Sequence, residues 1–135
     1  MTIPRGYTEG VPRILSVEDD VDLQQVFSYV FTKKKWDVTY AYDGKDGLEK
    51  AKELRPELIL LDMMLPGLNG IEVIEGLKAD ERTRGIPVIV MTAYPSDESF
   101  LRSAVIAMGA VEYLAKPVRI DELVKTIERL LPPAP

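Results

Sequence analysis

Leu58-Ile59-Leu60-Leu61 and Val88-Ile89-Val90-Met91 are apolar at every position and short enough to be strands. A run without polar alternation suits a strand covered on both faces, and such strands belong to parallel sheets packed between helices. Ile14-Leu15-Ser16-Val17 reads the same way, residues 38–41 read as a weaker strand nearer a sheet edge, and 111–114 as a short fifth strand. Between these runs the apolar spacing changes to that of helices. Leu23, Val26, Phe27, Val30 and Phe31 predict the apolar stripe of a first helix, and Leu48, Ala51 and Leu54 that of a second. Ile71, Ile74 and Leu77 predict a third, and Leu101, Ala104, Val105 and Met108 a fourth. Ile120, Leu123, Val124, Ile127, Leu130 and Leu131 predict a fifth. Pro56, Gly109 and Pro132-Pro133 stop the second, fourth and fifth. Strands that alternate with helices imply right-handed crossovers and a doubly wound parallel α/β sandwich of three layers.

The chain has 135 residues, enough for one domain with a single sizeable core. Residues 13–131 carry the pattern. Residues 1–12, with Pro4, Gly6, Gly10 and Pro12, read as a flexible arm, and 132–135 as a tail or the start of a linker. The composition excludes much chemistry. Without cysteine there is no disulfide, thiol nucleophile or Cys-ligated metal, and without histidine there is no Ser-His-Asp triad, His-ligated metal or phosphohistidine. With oxygen ligands alone, the metals that fit are Mg²⁺, Mn²⁺ or Ca²⁺. A net charge of −5 argues against direct nucleic-acid or anionic-membrane binding. Residues 1–10 hold no apolar signal core and no run reaches membrane-spanning length, so a cytoplasmic location is expected.

The chemistry gathers at the strand ends. Glu18, Asp19 and Asp20 follow the first strand, Asp62 ends the third, Thr92 ends the fourth, and Lys116 follows the fifth. In a parallel sheet all of them share one rim. Each has a plainer reading taken alone: Asp62 begins the turn forced by Pro66 and Gly67, and Asp20 caps the first helix. Thr92 is then a β-branched strand end, and Lys116 a solvated lysine before a proline. Together these readings leave three acids, a hydroxyl and an ammonium converging by coincidence. If the first and third strands are neighbours, Asp19 and Asp62 face each other across the crevice where α/β sheets bind ligands. Two carboxylates repel by roughly 4 kcal/mol at 4 Å and an effective dielectric of about 20. Protonation, a divalent cation or a lysine relieves that repulsion.

The set Val17-Glu18-Asp19-Asp20, Leu61-Asp62-Met63-Met64-Leu65-Pro66-Gly67-Leu68-Asn69-Gly70, Thr92-Ala93 and Tyr113-Leu114-Ala115-Lys116-Pro117 resembles the receiver domain of bacterial two-component response regulators. The resemblance runs from about Arg13 to Leu131 and implies a flavodoxin-like (βα)5 fold with strand order 2-1-3-4-5. It also implies that Asp62 accepts a phosphoryl group from a sensor histidine kinase or phosphotransfer protein. Mg²⁺, or Mn²⁺, would be bound by Asp19, Asp62 and the backbone carbonyl of Met64, with Glu18 acting through water. Lys116, Thr92 and the backbone of Ala93 would stabilise the phosphoryl group. Thr92 and Tyr113 would act as switch residues, Tyr113 turning inward on phosphorylation, and Lys116–Pro117 would be a cis peptide. A downstream effector would read the face made by the fourth helix, fifth strand and fifth helix, where Ile106 lies opposite the core stripe. Such a chain is a regulator and no enzyme beyond self-directed phosphoryl transfer and autodephosphorylation.

The sequence departs from that family in places. The stretch from Thr92 to Gly109 is long and holds Pro95. Val111 and Thr126 stand where regulators with a winged-helix output carry Asp and Arg, which argues against their style of dimer. Met64 and Tyr94 put bulk beside the site, and slow dephosphorylation is the expectation. Two other readings remain open. A non-phosphorylated scaffold of the same fold would usually lack an acid or the lysine, and both are present. A Mg²⁺-dependent phosphatase of the haloacid dehalogenase type would want a second Asp where Met64 stands.

Overall fold

The computed structural model describes residues 10–93 and 98–131, the side chains of 98–101 excepted. Strand and helix alternate throughout: β1 (Arg13–Val17), α1 (Val21–Lys33), β2 (Asp37–Ala41), α2 (Gly44–Leu54) and β3 (Leu58–Asp62). They continue as α3 (Gly70–Ala79), β4 (Val88–Thr92), α4 (Glu98–Ala107), β5 (Glu112–Ala115) and α5 (Ile120–Leu130). The five strands are parallel and lie in the order β2-β1-β3-β4-β5.

The unalternated apolar runs have a simple cause, because successive strand residues point to opposite faces and both faces are covered. Leu15, Val17, Ile59, Leu61, Val88 and Val90 enter one core with Ala51 of α2, Ile74 of α3 and Val105 of α4. Ile14, Leu58, Leu60, Ile89 and Met91 enter the other with Phe27 and Phe31 of α1 and Leu123 and Ile127 of α5. β3 is therefore buried at all five positions. The helices start where side chains can satisfy their first N–H groups. Asp20, Asp43 and Asn69 accept from Leu23, Asp46 and Glu72 at 3.1, 2.8 and 2.9 Å. Asn69 and Glu72 complete a capping box.

Two helix faces differ from the expected stripes. Val26 of α1 and Ile71 of α3 are exposed, and Gln24 and Val73 are buried in their stead. In α1 the covered stripe is Gln24, Phe27 and Phe31, at i, i+3 and i+7, so a polar residue occupies a core-facing position. β5 starts one residue later than expected and leaves Val111 exposed. Ile106 is exposed on α4 as expected. The expectations for Tyr94, Pro95, the Leu101 side chain, and most of the arm and the tail fall outside the described residues. Among the described residues no helix is long and apolar enough to cross a membrane.

Candidate functional site

The strand register brings the chemistry to one rim. Val17 pairs with Leu61, Asp62 with Met91, and Thr92 with Ala115, so the ends of β1, β3, β4 and β5 stand abreast. β3 then turns sharply into α3. Gly67 sits at φ +73°, a left-handed conformation that favours glycine. A Cβ on Gly70 would lie 2.6 Å from the Met63 Cα, so only glycine lets α3 begin so close to the strand end.

Glu18, Asp19 and Asp62 each offer a carboxylate oxygen within 4.8 Å of the others. Glu18 and Asp62 are buried and Asp19 is open to solvent. The Lys116 ammonium donates to both buried acids, closely to Glu18 Oε1 and at 3.2 Å to Asp62 Oδ2. Backbone N–H groups hold the remaining oxygens. Met64 donates to Asp62 Oδ1 at 3.0 Å, and Asp20 to Glu18 Oε2 at 3.1 Å. Burial pushes the Glu18 carboxyl up to about 7, against the pull of Lys116 and with the neighbouring Asp62 adding to the rise. Burial also draws Lys116 down, but its bonds to Glu18 and the charges of both acids outweigh that and raise it. Among the described residues the Lys116 ammonium thus bonds two of the three clustered carboxylates and leaves Asp19 outside, so the cluster stays short of positive charge. That shortage, with an all-oxygen donor set and one exposed carboxylate, fits a hard divalent cation such as Mg²⁺.

Residues 14–128 match the family described as the response regulator receiver domain. The chain belongs to that family. The transcriptional regulator RpaA of Synechocystis is 36% identical over 121 residues, which cover 90% of this chain and 49% of that protein. The DNA-binding response regulator MtrA of Mycobacterium tuberculosis is 37% identical over 119 residues, 88% of this chain and 50% of its own length. The chain thus spans about half the length of these curated relatives. Among solved structures, the receiver domain of a Pseudomonas aeruginosa sensor histidine kinase, with a magnesium ion in its active-site cleft, superposes with a TM-score of 0.79 at 31% identity. That match covers 89% of this chain and 97% of the other.

In this receiver domain the structure brings Glu18, Asp19, Asp62 and Lys116 together as the sequence suggested. Thr92 is buried at the end of β4 and Ala93 beside it is exposed. The Lys116–Pro117 peptide is cis. Tyr113 is buried, 1% exposed, with the Arg102 guanidinium 5.3 Å from its ring centre. Here the ring already lies inward. Met64, two residues on, is 55% exposed. Asp20 takes the plain role of helix cap. Thr126 is buried and bonds back to the Glu122 carbonyl at 2.9 Å, while Val111 faces solvent. Trp36 precedes β2 and packs on Phe31, at the rim away from the acids.

Sequence reasoning passed over Gln24. Its signal was the spacing to Phe27 and Phe31, which marks a core-facing position even when the residue is polar.

Proposed function

We propose that this receiver domain is a phosphorylation-dependent signalling switch in which Asp62 accepts a phosphoryl group from a partner histidine kinase or phosphotransfer protein. One observation carries the reading: Asp62 is a buried carboxylate whose two oxygens are held by Lys116 and the Met64 N–H, against two further acids at the strand-end crevice. In the transfer an Asp62 oxygen attacks phosphorus, forming a P–O bond while the P–N bond to the donor imidazole breaks, and the imidazole keeps its electron pair and takes up a proton. Such loose transition states need positioning and charge neutralisation more than covalent help. The Met64 N–H orients one oxygen of the nucleophile, and Lys116 stands beside the oxygens that gain charge. The Thr92 hydroxyl and Ala93 N–H would bind phosphoryl oxygens once the group is in place. Asp19, Asp62 and the Met64 carbonyl would hold Mg²⁺ (or Mn²⁺), with Glu18 acting through water. The bound cation supplies charge neutralisation at the phosphoryl oxygens.

The new charge, about −1.5 to −2, would be read at the surface of α4, β5 and α5 by a downstream effector protein. Thr92 and Tyr113 lie between that surface and Asp62 in the chain of adjoining strands. Residues 13–131 act as the switch unit, and catalysis by it goes no further than self-directed phosphoryl transfer and autodephosphorylation. The test is Mg²⁺ with a small phosphodonor, followed by intact mass. One added phosphoryl group on the wild-type chain and none on Asp62→Asn is the expected result. No addition, or equal labelling of both, overturns the reading.

A further inference from the structure

Gln24 closes the first turn of α1 with 2% of its surface exposed, yet it belongs to neither apolar cluster. Its amide spans the gap where β1 leaves the sheet. Nε2 donates to three backbone carbonyls, those of Ser16 at 3.0 Å, Glu18 at 3.2 Å and Ala41 at 3.2 Å. Its Oε1 accepts from the Ser16 hydroxyl at 2.7 Å. The orientation of the amide is therefore decided by chemistry, since a flipped amide would aim its oxygen at three carbonyl oxygens.

The Glu18 carbonyl lies beyond the end of β1, where a C=O has run out of ladder partners and, when buried, must find a donor elsewhere. The Glu18 N–H still bonds to the Ala41 carbonyl at 3.0 Å, but beyond it the chain turns into α1. The Glu18 carbonyl belongs to the peptide that joins Glu18 to Asp19. Fixing that peptide fixes how the two acids are presented, one buried toward Lys116 and the other open toward the crevice.

We propose that Gln24 is a positioning residue for the Glu18–Asp19 pair and that its amide sets the cation affinity of the site. The inference rests on the proposed metal-binding role of these acids. It assigns to the α1 core face a task that apolar packing does not perform, and it explains why an amide occupies a stripe otherwise filled by Phe27 and Phe31. Residues that orient metal ligands from behind typically change affinity 10- to 100-fold when replaced.

The measurement is the Mg²⁺ dissociation constant by titration calorimetry, at a temperature where circular dichroism shows each variant folded. Gln24→Met keeps the length and packing of the side chain and removes its hydrogen bonds. It is expected to weaken Mg²⁺ binding at least 10-fold. Ser16→Ala removes only the bond that orients the amide, and is expected to weaken binding by a smaller factor with little change in melting. It serves as the deciding variant if Gln24→Met does not fold. Asp19→Asn in the Gln24 background separates the two claims. If the wild-type chain binds Mg²⁺ and Asp19→Asn does not, while the Gln24 and Ser16 variants keep wild-type affinity, the positioning role is overturned and the metal site stands. If the wild-type chain itself binds no Mg²⁺, the site reading fails, and this inference with it.

Discussion

Asp62 and Met64 stand two residues apart at the end of β3, and their backgrounds differ sharply. The Asp62 side chain is buried and bonded, whereas Met64 is half-exposed, with its N–H on the Asp62 carboxylate. A thioether two residues from the nucleophile offers no group that orients water. Hydrolysis of the phosphorylated form needs a water aligned with the P–O bond, so an apolar neighbour should slow it. Met64→Asn is expected to shorten the lifetime of the phosphorylated chain, by an order of magnitude if the new amide positions the attacking water. Phosphate release after removal of the donor measures this, and an unchanged decay rate would remove Met64 from the account. Because the side chain is exposed, the folded stability of this variant should stay within about 0.5 kcal/mol of wild type.

Among the elements, β5 is tied to both flanking helices through one carboxylate. Glu112 accepts from Arg102 of α4 at 3.3 Å and from Arg129 of α5 at 2.8 Å. Burial pushes its carboxyl up, but the bonds from Arg129 and the Tyr113 N–H outweigh that and hold it below its ordinary 4.5. A depressed acid contributes stability that is present above its unfolded pKa and lost as pH falls through the folded one. Glu112→Gln should therefore cost roughly 0.5–1 kcal/mol at pH 7, since both arginines are largely exposed. Urea unfolding should show the deficit shrinking as pH drops below 4.5, and a deficit independent of pH would contradict the ion-pair account.

The same elements show what the sequence reveals. Strand positions were readable because a doubly covered strand must be apolar throughout, and the rim residues because every strand of a parallel sheet ends on the same side. Helix faces were readable only in part. Val26 and Ile71 have the right polarity for a core stripe but the wrong angle. Gln24 has the right angle and the wrong polarity, and its inward position depends on three carbonyls that only the folded sheet brings together. Glu18, Asp19, Asp62 and Lys116 were each visible as strand-end groups. That Lys116 is shared between Glu18 and Asp62, leaving Asp19 outward, depends on distances no spacing encodes.

At the scale of the whole molecule, the acid cluster sets function against stability. The two cores would hold the fold with neutral residues at the rim, but here two buried carboxylates face each other across β1 and β3. Burial above all raises Glu18 to about 7, and the neighbouring Asp62 adds to that rise while Lys116 offsets only part of it. Without metal, replacing Asp62 by an amide of the same shape removes one of the like charges but also one partner of Lys116. Glu18 keeps its own bond to Lys116, so the balance favours the variant. Asp62→Asn is expected to be more stable than wild type in a chelator by about 1 kcal/mol, roughly the worth of one unit of pKa displacement. Mg²⁺ should reverse the order. At 100 times its dissociation constant a ligand adds about 2.7 kcal/mol, or roughly 10 °C in a domain of this size. That gain should appear in the wild-type chain and largely vanish in Asp62→Asn, which loses one of the proposed ligands. Thermal melts of both proteins, with chelator and with Mg²⁺, give four midpoints. If wild type is the more stable protein in chelator, or if Mg²⁺ raises both midpoints equally, the carboxylate cluster is not where the fold gives up stability for its chemistry.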